Sequence, residues 1–316
     1  MKEQLLETFQ DIFGEGGEVE VYFSPGRVNL IGEHTDYNGG HVFPCALTMG
    51  TYGVVRKNNS NILRLYSLNF KHIGMITSSL GQLDHKAEDH WANYPKAVCK
   101  AILENGYQIP QGMDILYYGT LPNRSGLSSS ASIEVLTGYI IKSIFQLPLD
   151  MVQLAKLCKV AENRYIGVNC GIMDPFAIAM GKEGHGIFLD TNTLHYEYAP
   201  IRLNSMKIII ANTNKKRELS DSKYNERRKE CHNALMDLQK VIEIESLGDL
   251  NETQFEALKG YITDPICRKR AKHAVYENQR TIQAVHALKK SDLRLFGQLM
   301  KASHISLRDD YEVTGK

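Results

Sequence analysis

The segment Leu121–Ser132 constrains the fold more than any other part of the chain. It follows a predicted strand over residues 113–121 and precedes a predicted helix with the apolar face Ile133, Leu136, Ile140 and Ile144. Its small residues, with serines in a row, would let an anion approach the free N–H groups of the helix N-terminus. An ordinary serine-rich N-cap has the same pattern, and the residues alone leave both interpretations open.

This segment is not one of the common nucleotide-binding or nucleophile loops. Neither G-x-x-x-x-G-K-[ST] nor G-x-G-x-x-G occurs in the sequence, which excludes a Walker A loop and a dinucleotide fingerprint. G-x-S-x-G is also missing from the sequence, which excludes a nucleophile elbow.

The charge balance of the chain excludes a function based on bulk electrostatics. Lys and Arg together number 37 and Asp and Glu 36, which leaves a formal net charge of +1. Such a chain is not expected to bind nucleic acid or an anionic membrane through its overall charge. No apolar run reaches the ~18–20 residues that span a bilayer, and the N-terminus lacks the apolar stretch of a signal peptide. We therefore expect a cytoplasmic protein whose six cysteines are reduced.

Predicted helices and strands are mixed without strict alternation, which favours an α+β fold over a doubly wound sheet. Residues 18–23 alternate with a period of two and predict a strand that Pro25 and Gly26 end. A length of 316 residues suits two domains, and we place the boundary after residue 186. The chain opens with a predicted helix that ends near Gly14, with the apolar face Leu5, Leu6, Phe9 and Phe13.

The C-terminal half predicts further elements. Residues 151–166 and 226–246 have helical periodicity, and Lys207–Ile210 predicts a buried strand. Ser291 is the predicted N-cap of a last helix, whose apolar face consists of Leu293, Phe296 and Met300.

A second cluster of polar residues lies in the loop Ser24–Gly40, directly after the first predicted strand. This loop contains Arg27, Glu33, His34 and Asp36 within ten residues. Carboxylates and an imidazole together form an array of hydrogen-bond donors and acceptors that suits the vicinal hydroxyls of a sugar. A solvated charged turn is the alternative interpretation.

Five segments, taken together, resemble the galactokinase family. Pro25–Tyr37 looks like the galactokinase signature, and Gly126–Ser132 resembles the second motif of the wider family of galactokinase, homoserine, mevalonate and phosphomevalonate kinases. The resemblance covers essentially the whole chain, in order. The other similar segments are Gly171–Asp174, Asn212–Asn214 followed by Asp221–Arg228, and Ser306–Gly315.

The resemblance implies a two-domain α+β fold and a phosphotransferase that acts on an alcohol. Its N-terminal domain, residues 1–186, would have ribosomal-S5-like topology, and residues 187–316 would form a C-terminal α+β domain. Members of the family phosphorylate the anomeric hydroxyl of α-D-galactose with MgATP, which implies ATP and Mg²⁺ as cofactors. The expected partner is the sugar alone, without nucleic acid or membrane, and the expected state is a monomer.

The resemblance also implies roles for individual residues. Asp174 occupies the position of the catalytic base, and Arg27 the position that stabilises the transition state, as phosphoryl transfer requires. The implied sugar-binding residues are Glu33, His34, Thr35, Asp36, Asp174 and Tyr224.

Nucleotide and metal positions follow from the same resemblance. Ser130 and Glu162 match the magnesium ligands, and a hydroxyl with one carboxylate is a set that Mg²⁺ accepts. Ser67 and Trp91 stand where the family approaches the nucleotide. The residues implied to cover the ATP phosphates are Arg124, Ser125, Gly126, Leu127, Ser128, Ser129 and Ser130.

Three features depart from the family pattern. Arg124 and Ser125 stand where glycine is usual, which we expect to change the loop geometry or the affinity for ATP, because glycine adopts positive φ readily. The alternative is that Arg124 supplies positive charge to the phosphates. Pro175 follows Asp174, where Gln is common, and we expect it to hold Asp174 in an extended conformation, although a helix can begin at Pro175 itself. The third motif, of the Gly-Phe-Gly-Gly type, is missing from the 316 residues, which implies a C-terminal domain that is incomplete at its end.

Two alternatives to an active kinase remain open from the sequence. One is a galactose-binding sensor or co-regulator on the same fold, although the unbroken run Ser128–Ser132 favours the kinase. The other is an inactive, truncated galactokinase that exposes an apolar face of its second domain.

Overall fold

The computed structural model describes residues 1–122, 125–203, 205–212 and 220–314, with side chains in the last range described from Lys223. The strands in these residues are β1 (Glu20–Asn29), β2 (His41–Val42), β3 (Pro44–Lys57), β4 (Ile62–Ser67), β5 (Ile76–Ser79), β6 (Met113–Gly119), β7 (His185–Asp190) and β8 (Tyr196–Pro200). The α-helices are α1 (Lys2–Phe13), α2 (Asn93–Glu104), α3 (Ser129–Ile144), α4 (Met151–Ala161), α5 (Met173–Ala179), α6 (Ser220–Leu238), α7 (Glu252–Leu258), α8 (Pro265–Lys289) and α9 (Leu293–Asp309). This mixture confirms the predicted α+β class. Within the described ranges, no helix has both the length and the apolar character that a membrane span requires.

The first of two compact units consists of Met1–Arg27, Leu47–Cys170 and Asp174–Met180. Its sheet has the strand order β1-β3-β6-β4-β5, in which β6 is antiparallel to β3 and parallel to β4. Because successive strand residues point to opposite faces, Val55 and Ile115 join the large core with α2, α3 and α4, whereas Val54 and Leu116 pack with α1. The predicted opening helix, the strand near 113–121 and the helix after the serine-rich loop are confirmed.

The second compact unit consists of Val28–Ala46, Gly171–Met173 and the described residues from Gly181 onward. It contains the antiparallel sheet β2-β7-β8 and a helical part in which α8 packs with α6 and α9. Val28–Ala46 groups with this unit because Leu30, Ile31 and Phe43 share a core with residues of α8. The predicted division after residue 186 stays a prediction, and the units differ from it in being discontinuous along the chain.

The predicted break at Pro25 and Gly26 is wrong, because β1 continues through both residues to Asn29. β1 is an edge strand of the five-stranded sheet. An edge position tolerates proline, since the N–H that proline lacks is not needed for an inner ladder hydrogen bond. The extension carries Arg27 beyond the proline in a regular strand.

The buried strand predicted at Lys207–Ile210 is also wrong. These residues lie outside the strands, and Ile208, Ile209 and Ile210 are 41%, 88% and 40% exposed. No strand among the described residues pairs with this segment. A β-rich apolar run becomes a buried strand only where a neighbouring strand and a covering layer are present.

Two helix ends differ from the prediction. α6 ends at Leu238 and not near residue 246, because the chain turns back there to bring Leu247 into the same core as Leu238. The N-cap of α9 is Asp292 and not Ser291: the carboxylate of Asp292 accepts a hydrogen bond of 2.9 Å from the N–H of Leu295. Ser291 instead has a positive φ of 59°, in the turn that separates α8 from α9.

Candidate active site

Arg27 and Asp174, the two predicted catalytic residues, form an ion pair in the first unit. Arg27 lies near the end of β1, and Asp174 lies in the first turn of α5. Nε and Nη2 of Arg27 are 2.8 and 2.7 Å from Oδ1 of Asp174. The side chains are 13% and 28% exposed, so the pair is partly desolvated while the carboxylate stays accessible to a small molecule.

Pro175 does not hold Asp174 in an extended conformation, and that expectation is wrong. α5 begins at Met173, two residues before the proline, so Asp174 is already part of the helix. Proline is tolerated here because the first N–H groups of a helix have no acceptor within it. Asp174 therefore has a rigid helical support.

Ser128 supplies the second contact to the Asp174 carboxylate. Its hydroxyl donates to Oδ2 at 2.5 Å. Ser128 occupies the N-cap position of α3 with φ 58° and ψ 54°, a left-handed conformation, and its side chain makes no capping hydrogen bond. Ser128 is therefore not an ordinary serine N-cap, which was one of the two interpretations of this segment. A non-glycine residue in this conformation is strained, and such strain is concentrated at functional sites.

The loop before α3 packs closely against β1. The N–H of Arg27 donates to the carbonyl oxygen of Leu127 at 3.2 Å, and Nη1 of Arg27 donates to the carbonyl oxygen of Gly126 at 2.7 Å. Gly126 has φ 75°, so among the described residues of the loop it and Ser128 have positive φ angles. A Cβ on Gly26 would lie 2.9 Å from the Leu127 carbonyl oxygen, which leaves no room for a side chain on the strand.

The other predicted phosphate-binding residues follow along this loop. Ser125 is partly exposed, Ser129 is the exposed first residue of α3, and Ser130 is the second. Free N–H groups in the first turn of α3 suit the binding of an anion. Arg124 lies outside the described residues, as does Asn123.

Glu162, one of the two predicted metal ligands, is buried beside Ser130, the other. It is 6% exposed and begins a π-helical turn, Glu162–Ile166, that continues α4. Such turns are frequent at functional sites. Burial raises the pKa of Glu162, hydrogen bonds from Cys170 and Ser130 oppose that shift, and the charge of Asp174 adds to it. The hydroxyl of Ser130 and the carboxylate of Glu162 thus lie side by side, and their role as magnesium ligands stays a prediction.

Glu134 is a carboxylate of this region that sequence reasoning missed. It lies one turn after Ser130 on α3 and is fully buried, and neither of its carboxylate oxygens has a hydrogen-bond partner among the residues that the structure describes. Burial raises its pKa well above the usual value, and the charges of Glu162 and Asp174 raise it further. The sequence contained one indication of this unusual carboxylate: Glu134 is the one acidic residue of α3, a helix that is otherwise almost free of charge.

Trp91 borders a pocket of about 560 Å³ in the first unit. The indole is 9% exposed and lies edge-on to Tyr117 with ring centroids 5.6 Å apart. Within the described part of the chain, its Nε1 has no hydrogen-bond partner. His90 beside it has φ 41° and ψ −116°, another strained backbone position. The pocket is lined by Phe70, His72, Ile73, Glu88, His90 and Trp91.

Ser67 has a structural role that the sequence did not indicate. It is 4% exposed and is the N-cap of the 3-10 helix Leu68–Ile73, where its hydroxyl accepts a hydrogen bond from the N–H of Asn69 at 3.3 Å. Its predicted contact with a nucleotide stays a prediction.

The predicted sugar-binding loop lies in the second unit and is held by α8. Oε1 of Glu277 accepts hydrogen bonds from the N–H groups of Gly32 at 3.0 Å and Glu33 at 3.3 Å. The carbonyl oxygen of Glu33 lies 3.0 Å from Nε2 of His273. Sequence reasoning missed Glu277 and His273, because both act on the loop backbone and leave no pattern in the loop itself.

His34 lies in a cluster of aromatic rings. Its Nδ1 is 2.8 Å from the hydroxyl of Tyr37, and its ring centroid is 5.8 Å from that of Tyr224 and 4.9 Å from that of Tyr311. Burial lowers the pKa of His34 to about 3, with smaller contributions from the charges of His273 and Arg227. The imidazole is therefore neutral at physiological pH, and the ring of Tyr224 lies beside it. The contact of Tyr224 with a sugar stays a prediction.

Thr35 and Asp36 complete the predicted set in the second unit. Thr35 is fully buried, and its hydroxyl can donate to the carbonyl oxygen of Gly32 at 2.8 Å or of His41 at 2.7 Å. The carboxylate of Asp36 rests on Gly171, where a Cβ would lie 1.6 Å from Oδ2. Thr35 thus shapes the loop, and its direct contact with a sugar stays a prediction.

Comparison with known proteins identifies the family. Residues 7–57 match the model of the galactokinase galactose-binding signature, and residues 93–182 match the N-terminal domain of GHMP kinases. The chain is 59% identical to the galactokinases of Clostridium beijerinckii and Clostridium acetobutylicum over 311 residues, which are 98% of this chain and 80% of each relative. The crystal structure of Lactococcus lactis galactokinase in complex with galactose matches with a TM-score of 0.97 and 47% identity, over 99% of this chain and 81% of that one. The chain therefore belongs to the galactokinase family of GHMP kinases.

Proposed function

We propose that the protein transfers the γ-phosphoryl group of ATP to the anomeric hydroxyl of α-D-galactose, which gives galactose 1-phosphate and ADP. Family membership supports the reaction. The observation that carries it is the Asp174 carboxylate, held between Arg27 and Ser128 next to the N-terminus of α3. This arrangement combines a proton acceptor, a fixed cation and a site for phosphate groups, which are the parts that phosphoryl transfer needs.

Asp174 and Arg27 have complementary roles in this reaction. Asp174 orients the attacking hydroxyl and accepts its proton as the bond to phosphorus forms. Arg27 faces the negative charge that spreads over the equatorial oxygens of the phosphoryl group in the transition state. Because Arg27 is anchored on both Asp174 and Gly126, its charge needs little reorganisation during the reaction.

The sugar is bound by Glu33, His34, Asp36 and Tyr224 of the second unit. Carboxylates accept hydrogen bonds from sugar hydroxyls. In the neutral imidazole of His34, Nδ1 contacts the hydroxyl of Tyr37, so Nε2 is the nitrogen that forms a hydrogen bond with a sugar hydroxyl. Thr35 supports them by fixing the backbone between Gly32 and His41.

ATP is bound by residues of the first unit. The backbone of Ser125–Ser129 and the N-terminus of α3 hold the phosphates, and the pocket beside Trp91 accepts the base. Arg124 and Ser67 complete the proposed nucleotide-binding set.

Ser130 and Glu162 would hold a magnesium ion that accompanies the nucleotide. The fit rests on the chemistry of the two groups: the carboxylate of Glu162 is buried, and the hydroxyl of Ser130 is within hydrogen-bond distance of it. Mg²⁺ commonly takes one or two protein ligands and completes its shell with phosphate oxygens and water. When bound, the ion neutralises charge on the phosphates.

The test is formation of ADP by the purified chain. We expect it only when galactose, ATP and Mg²⁺ are all present, and Asp174→Asn should abolish it. Asp84→Asn, a change at an exposed aspartate paired with Lys100, is the matched control that should leave turnover unchanged. Stabilisation by galactose without any turnover of ATP would instead identify a galactose-binding protein. A monomeric state and a cytoplasmic location remain predictions from the sequence.

A further inference from the structure

Glu134 is a buried carboxylate to which no residue in the described part of the chain donates a hydrogen bond. It is fully buried in α3, and among the described residues neither of its oxygens accepts a hydrogen bond. Burying an unpaired carboxylate is strongly unfavourable. Such a group persists only where something that is bound to the protein compensates for it or where selection for function keeps it.

Other buried polar groups of the same unit show how the fold normally treats them. Asp114 in β6 is also fully buried, and Arg56, Arg64 and Asn58 all donate hydrogen bonds to it. On α3 itself, the hydroxyl of Ser132 donates to the carbonyl oxygen of Ser24 at 3.0 Å. Thr137 donates to the carbonyl oxygen of Ile133 at 2.7 Å. Glu134 is therefore an exception within its own helix.

The position of Glu134 on α3 directs it toward the two proposed magnesium ligands. Side chains four residues apart lie on one face of a helix, and each is tilted toward the helix N-terminus. The Glu134 carboxylate is thus directed toward the first turn of α3, where Ser130 lies. The charges of Glu162 and Asp174 both act on it, which puts it in the same electrostatic environment.

We propose that Glu134 is a positioning residue for the divalent cation, and that it accepts hydrogen bonds from water molecules bound to the ion that Ser130 and Glu162 hold. This inference rests on the proposed function, which supplies the cation. Mg²⁺ dehydrates reluctantly and keeps several waters in protein sites. Each such water presents two donors, and the unpaired oxygens of Glu134 are acceptors that match them. Outer partners of this kind orient the ligands and contribute to the affinity for the metal.

The experiment measures Mn²⁺ binding in the presence of ADP by electron paramagnetic resonance, which does not depend on phosphorylation of galactose. Glu134→Gln keeps the shape of the side chain and removes its charge. We expect it to bind Mn²⁺ at least about tenfold more weakly than the wild type. The same variant, free of metal, should have about the stability of the wild type, because burial already favours the uncharged form of Glu134 when no cation is bound.

Thr137→Val, at another buried polar residue of α3, is the matched control and should bind Mn²⁺ as the wild type does. Glu134→Asp retains the carboxylate and should recover part of the affinity that Glu134→Gln loses. Wild-type affinity in Glu134→Gln would overturn the role of Glu134 while leaving the metal site in place. Failure of the wild type to bind Mn²⁺ would overturn both this inference and the proposed metal site.

Discussion

Nε and Nη2 of Arg27 both lie within 2.8 Å of the same carboxylate oxygen of Asp174, Oδ1. The other oxygen, Oδ2, accepts a hydrogen bond from the hydroxyl of Ser128. A charge-assisted pair is stronger than a hydrogen bond from a neutral hydroxyl. Oδ2 is therefore the oxygen at which the hydroxyl of a substrate can replace a protein group, while Oδ1 keeps the carboxylate in place.

The first prediction concerns the shape of the guanidinium. Arg27→Lys keeps the positive charge but loses the fork that joins Asp174 to the carbonyl oxygen of Gly126. We expect kcat to fall by about 10²-fold or more, as when one donor to a transition-state anion is removed. KM for galactose should change little, because Arg27 is not among the proposed sugar ligands. Steady-state kinetics with a coupled ADP assay measures both quantities.

The matched control for this change is Arg56→Lys. Arg56 also bonds a buried aspartate, Asp114, but it lies on β3 and also donates to the carbonyl oxygens of Phe13, Gly14 and Gly16. This variant should lose stability and keep its kcat. Equal kinetic losses in both variants would mean that the Arg27 effect reflects damage to the fold alone.

Part of this site could be predicted from the sequence, because the motifs that carry Arg27, Asp174, Ser130 and Glu162 resemble those of a known family. The hydrogen bond from Ser128 to Asp174 could not. It depends on a left-handed backbone at a serine, and it joins residues that are 46 positions apart. The burial of Glu134 could not be predicted from the sequence either, since a glutamate in a helix is usually exposed.

The secondary structure was likewise predictable in some places and not in others. α1 and α3 have complete local signals, namely an apolar periodicity and a glycine or serine boundary, and both were predicted. The course of β1 through Pro25 depends on its edge position, which is a property of the sheet. Whether Lys207–Ile210 forms a strand depends on the presence of a neighbouring strand with which it can pair. Such properties arise from parts of the chain distant in sequence, so no local pattern contains them.

A second prediction follows from the contact between Asp36 and Gly171. Gly171→Ala would put a Cβ within 1.6 Å of Oδ2 of Asp36, so the carboxylate must move. We expect KM for galactose to rise by about tenfold or more, which corresponds to the loss of about one hydrogen bond to a charged group. Isothermal titration with galactose checks the binding directly. Gly297→Ala in α9, where a Cβ meets nothing within 4 Å, should leave binding unchanged.

The third prediction concerns stability in acid. The pKa of His34 is lowered to about 3 in the folded state, whereas an unfolded histidine titrates near 6.5. As pH falls below about 6.5, the unfolded chain binds a proton that the folded protein does not bind until about pH 3. His34 should therefore reduce the free energy of unfolding by about 1.4 kcal/mol per pH unit across this window. His34→Gln should show a slope shallower by that amount.

Urea unfolding at several pH values between 4 and 7 measures these slopes. Carboxylates also contribute to acid destabilisation, but they are the same in both proteins and cancel in the comparison. His304→Gln, a change at an exposed histidine of α9, should keep the wild-type slope. Parallel curves for the wild type and His34→Gln would contradict a neutral, buried imidazole.

The last prediction tests how α8 supports the sugar-binding loop. Burial by itself raises the pKa of Glu277, but Arg280, His273 and the hydroxyl of Ser303 outweigh it, so the net shift is downward. A charged Glu277 can thus hold the N–H groups of Gly32 and Glu33. Glu277→Gln leaves Arg280 without its carboxylate and weakens the contacts to the loop. We expect the free energy of unfolding to fall by about 3 kcal/mol.

The same variant should bind galactose more weakly, because the backbone that directs Glu33 and His34 loses its anchor. Thermal unfolding and galactose titration separate the two effects. Glu256→Gln removes an exposed surface pair with Lys259 and should alter neither quantity, since exposed pairs contribute little. If Glu277→Gln lost stability but kept wild-type galactose affinity, Glu277 would stabilise the second unit without positioning the loop. If both stability and galactose affinity fell, Glu277 would support sugar binding by holding the backbone N–H groups of Gly32 and Glu33.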